Sequence, residues 1–435
     1  MGSTDPPPAR LAGPPQLPYR GTSPPRGVAL DAAHADRESR VTPLELFFDL
    51  VFVFAITQVT AFLSDHSTWG GLLRGTLLLG ALWWAWAAYA WLTNTLDPEE
   101  GAVRLVVFGV IGAMLVVSLA ARDVFDTAGV AFGLAYFVVR ALHLALYAIA
   151  GWGDRDLLRA VARIVPSATV GPALLVGAGF LDGGVQIALW VAALLVDYLG
   201  VLVGHMQGWR VSPEHFVERH GLIVIIALGE SIVAIGVGAA HVPLGGGLVG
   251  AALLGIAVIA TLWWSYFDWV SYVALSRLAE ATGAARAALA RDLYSYLHLP
   301  MVAGIVLFAL GLKATMADVE GSLDTIPALG LCGGVALYLA AHVALRLRIG
   351  GGLGHGRPIA TIVLLALLPV ALTAPAVVAL ASVAAVCVGL IAYEAIRYRG
   401  ARAWIRSRRG LFTTDEVTRV ARISGRIEDP DRADA

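Results

Sequence analysis

The sequence predicts an all-α, polytopic integral membrane protein with about twelve transmembrane helices, and three observations support this fold class. Hydrophobic residues make up 58% of the 435 residues and charged residues 14%, whereas a soluble domain carries about a quarter of charged residues. The mean hydropathy is +0.74. The apolar residues lie in long blocks rather than in periodic stripes, and about 20 such residues in a helix cross a hydrocarbon core of about 30 Å.

Each predicted span is one such apolar block, and polar connections separate it from the next. In chain order, the predicted spans cover residues 44–64, 72–95, 102–121, 129–150, 158–180, 185–205, 216–239, 247–273, 293–313, 327–347, 358–374 and 376–397. An even number of spans places both ends of the chain on the same side of the membrane.

The two ends of the chain differ from the region between them. Residues 1–40 contain eight prolines and no apolar core. Such a segment cannot bury enough apolar surface to fold, so we expect residues 1–40 to be a disordered, Pro-rich cytoplasmic tail. Without an apolar core, they do not resemble a signal peptide. Residues 400–435 predict a second, polar cytoplasmic tail. The membrane region divides into a first six-helix half, 41–211, and a second six-helix half, 212–399.

The positive charges predict the orientation, because Lys and Arg concentrate in cytoplasmic loops. With the N-terminus and the C-terminus in the cytoplasm, all but four of the 31 Lys and Arg residues lie on the cytoplasmic side. The exceptions are Arg74, Arg122 and Lys313 in outer loops and Arg140 within a span. The formal net charge is −1, and no basic patch indicates a nucleic-acid partner.

Weak internal similarities, which keep the same order in both halves, predict a repeat. One of them aligns "FDLVFVFAI" with "GESIVAIGV" and places Asp49 opposite Glu230. The others pair "LWWAWAAYAWL" with "LWWSYFDWVSY", "HLAL" with "HVAL", and "VDYLG" with "AYEAI". Because six is even, the two halves would have the same orientation, as parallel repeats about an axis along the membrane normal. Such repeats place functional sites at the interface between the halves.

Two carboxylates inside the first span need an explanation. An acid at the centre of a bilayer costs about 2.5–3.5 kcal/mol on insertion scales. Glu45 and Asp49 are four residues apart and share one helix face, so we expect both to face the protein interior. We expect Asp49 and Glu230 to line a polar path between the halves. The alternative is that these acids form packing salt bridges that fix the helix register.

Other polar side chains inside the predicted spans complete the candidate path. Arg140 and His143 lie one turn apart, and a buried Arg requires an acid, which would be Asp49, Asp197 or Glu230. The remaining candidates for the path are Asp197, Asp268 and His298. The residues expected to support it are Glu45, Trp84, Trp264, His342 and Glu394. For His298 and His342, an ordinary hydrogen-bonded histidine is the competing interpretation. Gly229 and Gly236, beside Glu230, would allow a close helix approach or a kink.

The sequence predicts no metal site, no cofactor and no catalytic residue. Cys332 and Cys387 fall inside apolar blocks and are interpreted as small buried hydrophobic residues. No HExxH or GxSxG motif occurs. Three histidines and two glutamates near the start of the seventh span are interpreted as a solvated loop; they are His205, Glu214, His215, Glu218 and His220.

Three segments resemble the bacterial low temperature requirement protein A family. They are "TPLELFFDLVFVFAITQ" at 42–58, "HGLIVIIALGESIVAIG" at 220–236 and "YSYLHLPMVAGIVLFALG" at 294–311. The resemblance covers about residues 40–400. It implies a multi-pass protein of the bacterial cytoplasmic (inner) membrane that is linked to growth in the cold, and it implies no particular mechanism.

The first span is also similar to the pore-lining first helix of the endosomal and lysosomal potassium-channel family with a Phe-Ser-Asp motif. The likeness rests on Leu44, Glu45, Phe47, Asp49, Val51, Phe52, Ala55, Ile56 and Thr57. Phe48 stands where that family has Ser, and Leu50 stands where Asn follows its Asp. The likeness implies a path lined by the first span, and the two replaced positions argue against carrying potassium selectivity over to this chain.

These observations predict a transporter or ion channel for a small ion or small molecule. Its partners would be the lipid bilayer and that substrate, and a homo-oligomer is compatible with the sequence. The alternative is a membrane-embedded enzyme that acts on a lipid or another apolar substrate through acid–base chemistry. A third hypothesis is an accessory or sensor protein that responds to membrane fluidity.

Overall fold

The computed structural model describes residues 41–399, apart from the side chain of Trp269. These residues form twelve helices that are long and apolar enough to cross a membrane, and no strand occurs among them. The helices are α1 Pro43–Asp65, α2 Trp69–Leu92, α3 Gly101–Asp123, α4 Gly129–Ala150, α5 Arg155–Ala178, α6 Gly183–Val203, α7 Pro213–Ala239, α8 Gly246–Glu280, α9 Gly283–Ala317, α10 Thr325–Arg348, α11 Gly356–Thr373 and α12 Ala376–Arg397. The predicted all-α, twelve-span fold is confirmed. The two predicted tails, 1–40 and 400–435, lie outside the described residues.

Two helices are much longer than their predicted spans. α8 and α9 each contain 35 residues, and they extend toward each other beyond the predicted boundaries at 273 and 293. The extra segments "SRLAE" and "GAARAALA" are rich in Ala, Leu, Arg and Glu, which are strong helix formers. Hydropathy marks only the part of a helix that crosses the membrane, so it could not locate these ends.

The starts of α1 and α7 are built alike. Thr42 caps α1 and Pro43 follows it, while Ser212 and Pro213 occupy the same positions in α7. Proline suits the first turn because its missing N–H would have no intrahelical partner there. In α1, Glu45 completes a capping box, since its Oε2 accepts from the Thr42 backbone N–H at 2.9 Å.

The helices alternate in direction, so each face of the bundle collects one set of helix ends. We call the face where α1 begins the proximal side and the opposite face the distal side. On the distal side, Arg122 at the end of α3 pairs with Asp65 at the end of α1. On the proximal side, Asp154 caps α5, and the Leu157 backbone amide holds the pKa of Asp154 below its ordinary value, with a further contribution from Arg210.

Several helix contacts among the first six helices have a counterpart among the last six. α1 packs on α2 and α3, and α7 packs on α8 and α9. The α3–α4, α4–α5 and α5–α6 contacts correspond to α9–α10, α10–α11 and α11–α12, and the α2–α6 contact to α8–α12. Between the halves, α7 contacts α1 and α2, and α9 contacts the same two helices. The α1–α7 seam therefore lies where the two sets of six helices meet.

Glycines allow α9 and α10 to pack closely. A Cβ added at Gly304 of α9 would lie 2.5 Å from the carbonyl oxygen of Gly334 on α10, and one at Gly334 would lie 2.6 Å from that of Gly304. Small residues at such contacts let two backbones approach, which matters in lipid because no hydrophobic effect drives helices together there.

Two helices contain a π-helical turn. In α8 it covers Tyr266–Val270, and in α9 it covers Arg291–Tyr296. Single π turns inside α-helices occur frequently at functional sites. Both turns contribute side chains to one group of buried rings, which is described below.

Candidate functional site

The centre of the candidate site is an ion pair between α1 and α7. Asp49 on α1 accepts a hydrogen bond from Nη1 of Arg219 on α7 at 2.8 Å. The second carboxylate oxygen of Asp49 accepts from Nε1 of Trp86 on α2 at 2.9 Å. All three side chains are buried. Asp49 thus has two strong donors although it lies within a membrane-spanning helix.

Glu45, one turn before Asp49, belongs to the same network. Its Oε1 lies 3.6 Å from Nε of Arg219 and its carboxylate 3.1 Å from Nε2 of His215, also on α7. Asn94 fixes the tautomer of His215: its side-chain oxygen accepts from the Ser212 backbone N–H, so its amide group donates to Nδ1 of His215. Nε2 of His215 therefore carries the proton and donates to Glu45.

The charges in this network are unevenly matched. Two carboxylates, Glu45 and Asp49, face one guanidinium, Arg219, and a histidine that is neutral in the tautomer just described. Arg219 also lies over the ring of Trp86, with its Cζ 5.7 Å from the ring centroid, which is a cation–π distance. Nη2 of Arg219 has no hydrogen-bond partner. The guanidinium therefore retains a free donor inside the protein.

A small cavity borders this network. Its volume is about 10 Å³, and Glu45, Tyr89, Thr93 and Arg219 are among the residues that line it. That volume is close to the minimum that one water molecule requires. Pro98, in the proximal connection between α2 and α3, also lines the cavity, so the cavity lies between the ion pairs and the proximal side.

Glu230 is farther along the same seam. It accepts a hydrogen bond from the Thr57 hydroxyl of α1 at 2.6 Å. Arg219 and Glu230 are eleven residues apart on α7, which is about 16 Å along a helix. Buried apolar side chains lie at intervening positions of the two helices, including those of Phe52 and Ile56 on α1 and Ile223 on α7. The two acids that the repeat alignment matched are therefore in separate polar groups.

A second intramembrane ion pair joins α4 to α6. Of the three acids expected to pair with Arg140, the structure selects Asp197, whose Oδ1 lies 3.1 Å from Nη2 of Arg140. His143, one turn along α4, donates from Nε2 to the carbonyl oxygen of Ala88 at 3.1 Å. Both residues are buried but do not contact the α1–α7 network.

A group of buried rings surrounds the two π turns. His298 donates from Nδ1 to the carbonyl oxygen of Leu293 at 2.8 Å, so its Nε2 accepts from the Tyr266 hydroxyl at 2.8 Å. His298 stacks on Tyr294, with 4.7 Å between ring centroids. His220 on α7 contacts Tyr294 at 4.8 Å and Trp86 at 4.9 Å. These rings connect His298 with the Trp86 indole that donates to Asp49.

The remaining predicted residues lie elsewhere. His342 donates from Nδ1 to the Tyr338 carbonyl oxygen at 2.9 Å, and Glu394 pairs with Arg357 at 2.8 Å. Asp268 lies in the π turn of α8. Trp84 is 5% exposed whereas Trp264 is 41% exposed, so the two matched tryptophans have different environments.

The sequence analysis missed Arg219 and misread His215 and His220. Arg219 was counted among the cytoplasmic positive charges, and the two histidines were interpreted as part of a solvated loop. All three are buried within α7, because α1 and α2 pack against this part of the helix, which begins at Pro213. The signal was the Ser-Pro start of α7, which matches the Thr-Pro start of α1 and aligns His215 and Arg219 with Glu45 and Asp49.

The expected roles of two glycines are also corrected. A Cβ at Gly229 or Gly236 would meet no atom within 4 Å, and α7 is an uninterrupted α-helix through both positions. Neither glycine marks a close approach or a kink. Within residues 41–399, no three His, Cys, Asp or Glu side chains are placed to hold a metal ion.

Comparisons with known proteins agree with this architecture. A curated protein of Rhizobium meliloti (strain 1021), described as uncharacterized, is 32% identical over 308 residues, which cover 68% of this chain and 74% of that protein. No solved structure is significantly similar to the chain. A sequence model described as bacterial low temperature requirement A protein matches residues 40–392. The chain is therefore a member of the bacterial low temperature requirement A protein family.

Proposed function

We propose that this protein is a transporter or channel for a small ion or small solute, and that its path follows the α1–α7 seam. The observation that carries the proposal is the position of Arg219, between Glu45 and Asp49 at the junction of the two sets of six helices. Ionised side chains inside a membrane-spanning bundle are expensive, and they commonly mark ion or substrate pathways.

Packing alone would not require this arrangement. Well-packed apolar residues often stabilise a protein as well as a buried ion pair does, because desolvation offsets the Coulomb attraction. Here one guanidinium serves two carboxylates, and its Nη2 still lacks a partner. A cation or proton that binds Asp49 competes directly with Arg219, so binding at this site loosens the contact between α1 and α7.

Glu230 and Thr57 form a second polar site on the distal part of the seam. The buried apolar side chains of Phe52, Ile56 and Ile223 lie between it and Asp49 along the seam. Movement of an ion or solute therefore requires the two helices to separate at these side chains. The loss of the Asp49–Arg219 pair is the event that favours this separation.

We further propose that residues 41–211 and 212–399 are parallel repeats. The support is the matched pattern of helix neighbours and a pair of matching hydrogen bonds. Tyr136 of α4 donates to the Ala81 carbonyl of α2, and Tyr338 of α10 donates to the Leu262 carbonyl of α8. Transporters built from repeats place their sites where the repeats meet, which is the position of the α1–α7 seam.

The proposal includes the orientation of the chain. The proximal side faces the cytoplasm of a bacterial cell, and the protein lies in the cytoplasmic membrane. The support is the distribution of Lys and Arg, which concentrate on the cytoplasmic side of membrane proteins. Asp49 then lies nearer to the cytoplasm and Glu230 nearer to the outside.

Ion flux in proteoliposomes tests the proposed function. Gradients of K⁺, Na⁺ and H⁺ are applied separately to the wild type, Asp49→Asn, Arg219→Gln and Glu230→Gln. The matched controls are Asp65→Asn, at the exposed end of the same helix as Asp49, and Arg122→Gln, its partner. We expect flux in the wild type and both controls and at least a tenfold loss in the three seam variants. Equal flux in Asp49→Asn and Asp65→Asn contradicts the proposal.

A membrane-embedded enzyme is the second candidate, and one observation favours it. His298 accepts from the Tyr266 hydroxyl beside two π turns, and this pair could transfer a proton to an apolar substrate. Purified protein would be incubated with a bacterial lipid extract, and the products compared by mass spectrometry with those of His298→Gln. A product formed only by the wild type supports the enzyme and argues against transport as the main activity.

A further inference from the structure

A second cavity lies at the proximal ends of α4, α5 and α6, on the opposite face of α2 from the seam. Its volume is about 60 Å³, which is room for several water molecules. Among residues 41–399, the charged and titratable side chains that line it are Arg140, His143, Tyr147, Arg163 and His205, and no carboxylate is among them. Arg140 is paired with Asp197 behind the cavity wall. The excess charge of the cavity is therefore positive and lies at Arg163.

Polar atoms without partners line this cavity. They belong to three residues on one face of α4: Nε of Arg140, Nδ1 of His143 and the hydroxyl of Tyr147. Each side chain is at least nine-tenths buried. Nε of Arg140 and the Tyr147 hydroxyl are donors, whereas Nδ1 of His143 is an acceptor because Nε2 of that ring carries the proton. A buried polar atom without a partner costs about 1–3 kcal/mol, so three of them in one cavity indicate a polar ligand with both acceptor and donor groups.

An apolar groove continues from the cavity along the outside of the bundle. It runs between α5 and α6, has a volume of about 440 Å³, and is lined by Val170, Leu195 and Leu199 among others. Arg163 lines both the groove and the cavity. Arg163 donates to the Gln207 carbonyl oxygen and forms no ion pair with the acids of residues 41–399. Its positive charge thus lies where the cavity meets the apolar groove, whose volume suits an acyl chain.

We propose that this site binds an anionic phospholipid. The phosphate of the headgroup lies at Arg163, polar headgroup atoms enter the cavity toward His143 and Tyr147, and one acyl chain fills the α5–α6 groove. Basic pockets between transmembrane helices recognise anionic headgroups in this manner. The groove distinguishes a lipid from a free anion, because a free anion would leave it unused. The site is separate from the α1–α7 seam and does not depend on the proposed transport function.

Native mass spectrometry of the detergent-purified full chain tests this proposal. Phosphatidylglycerol, phosphatidylethanolamine and inorganic phosphate are titrated separately against the wild type, Arg163→Gln and Tyr147→Phe. The matched control is Arg159→Gln, one turn earlier on α5, where Arg159 is exposed and pairs with Asp156. Thermal unfolding of each variant verifies that it is folded.

We expect the wild type and Arg159→Gln to bind phosphatidylglycerol at least fivefold more tightly than phosphatidylethanolamine. Arg163→Gln should lose this preference, and Tyr147→Phe should weaken binding while it keeps the preference. Three outcomes overturn the proposal. They are equal binding of the two lipids by the wild type, equal effects of the Arg163 and Arg159 substitutions, and phosphate binding as tight as that of phosphatidylglycerol.

Discussion

Arg219 donates to Asp49 at 2.8 Å across the seam between α1 and α7, and both side chains are buried. The pair joins the sixth residue after Pro43 to the sixth residue after Pro213, so two helices with similar starts meet in register. Glu45 and His215 meet in the same way one turn earlier. The seam is therefore organised by opposite charges at matching positions of two parallel helices.

Removing Arg219 alone should destabilise the protein strongly. Arg219→Gln leaves Asp49 and Glu45 buried without their main cation, and breaking a buried pair from one side costs about 3–5 kcal/mol. We expect a marked loss of thermal stability in detergent, measured by the decrease in Tm relative to the wild type. Arg122→Gln, which removes an exposed cation from another ion pair, should change Tm by only a degree or two. Equal decreases in Tm in the two variants would show that the buried Asp49–Arg219 pair stabilises the protein no more than an exposed ion pair does.

Removing both Asp49 and Arg219 should restore the part of this loss that comes from Asp49, while Glu45 remains buried without Arg219. In Asp49→Leu with Arg219→Leu, two apolar side chains replace a buried ion pair, and such exchanges are often neutral. We expect the double variant to be more stable than Arg219→Gln yet inactive in the flux assay. A stable but inactive double variant would show that the Asp49–Arg219 pair is needed for flux itself. If the pair only stabilised the fold, flux would return together with stability.

The sequence predicted the fold more completely than the site. Each span is an apolar block long enough to cross the membrane, so hydropathy alone located all twelve helices. Asp49 and Glu230 were recognisable as intramembrane acids, and Arg140 was recognisable as a residue that needs an acid. Its partner, Asp197, depends on the angle between α4 and α6, which no sequence pattern encodes. Arg219 was missed because an Arg near a predicted helix end resembles a topology-setting charge, and only the packing of α1 and α2 buries it.

Trp86 should contribute to stability through Asp49. Trp86→Phe keeps an aromatic ring near His220 but removes the Nε1–H that donates to the Asp49 carboxylate. A hydrogen bond to a charged group is worth about 1.5–3 kcal/mol. We expect Trp86→Phe to lower Tm in the wild type and to have at most half that effect in Asp49→Asn. Chemical denaturation of the wild type, the two single variants and the double variant gives the coupling free energy between Trp86 and Asp49. Additive losses of unfolding free energy would contradict the prediction.

The α9–α10 contact should not tolerate a methyl group. A Cβ at Gly304 would lie 2.5 Å from the Gly334 carbonyl oxygen, so the two backbones would have to separate. Overpacking of this kind costs about 1–3 kcal/mol. Gly236→Ala is the control, because a Cβ there meets no atom within 4 Å and alanine favours a helix. We expect Gly304→Ala to lower Tm and Gly236→Ala to leave it unchanged or raise it slightly. A lower Tm for Gly236→Ala than for Gly304→Ala would contradict the close packing of α9 on α10.

The proposed orientation can be tested with single cysteines at two exposed sites. Trp152, in the proximal α4–α5 connection, is 90% exposed, and Leu244, in the distal α7–α8 connection, is 86% exposed. Cys332 and Cys387 are both buried, so the native background for a membrane-impermeant thiol reagent is low. With the proximal side in the cytoplasm, Leu244→Cys should be labelled in intact cells and Trp152→Cys only after permeabilisation. The reverse pattern would invert the topology and place Asp49 nearer the outside, and the direction of any flux would then have to be reassigned.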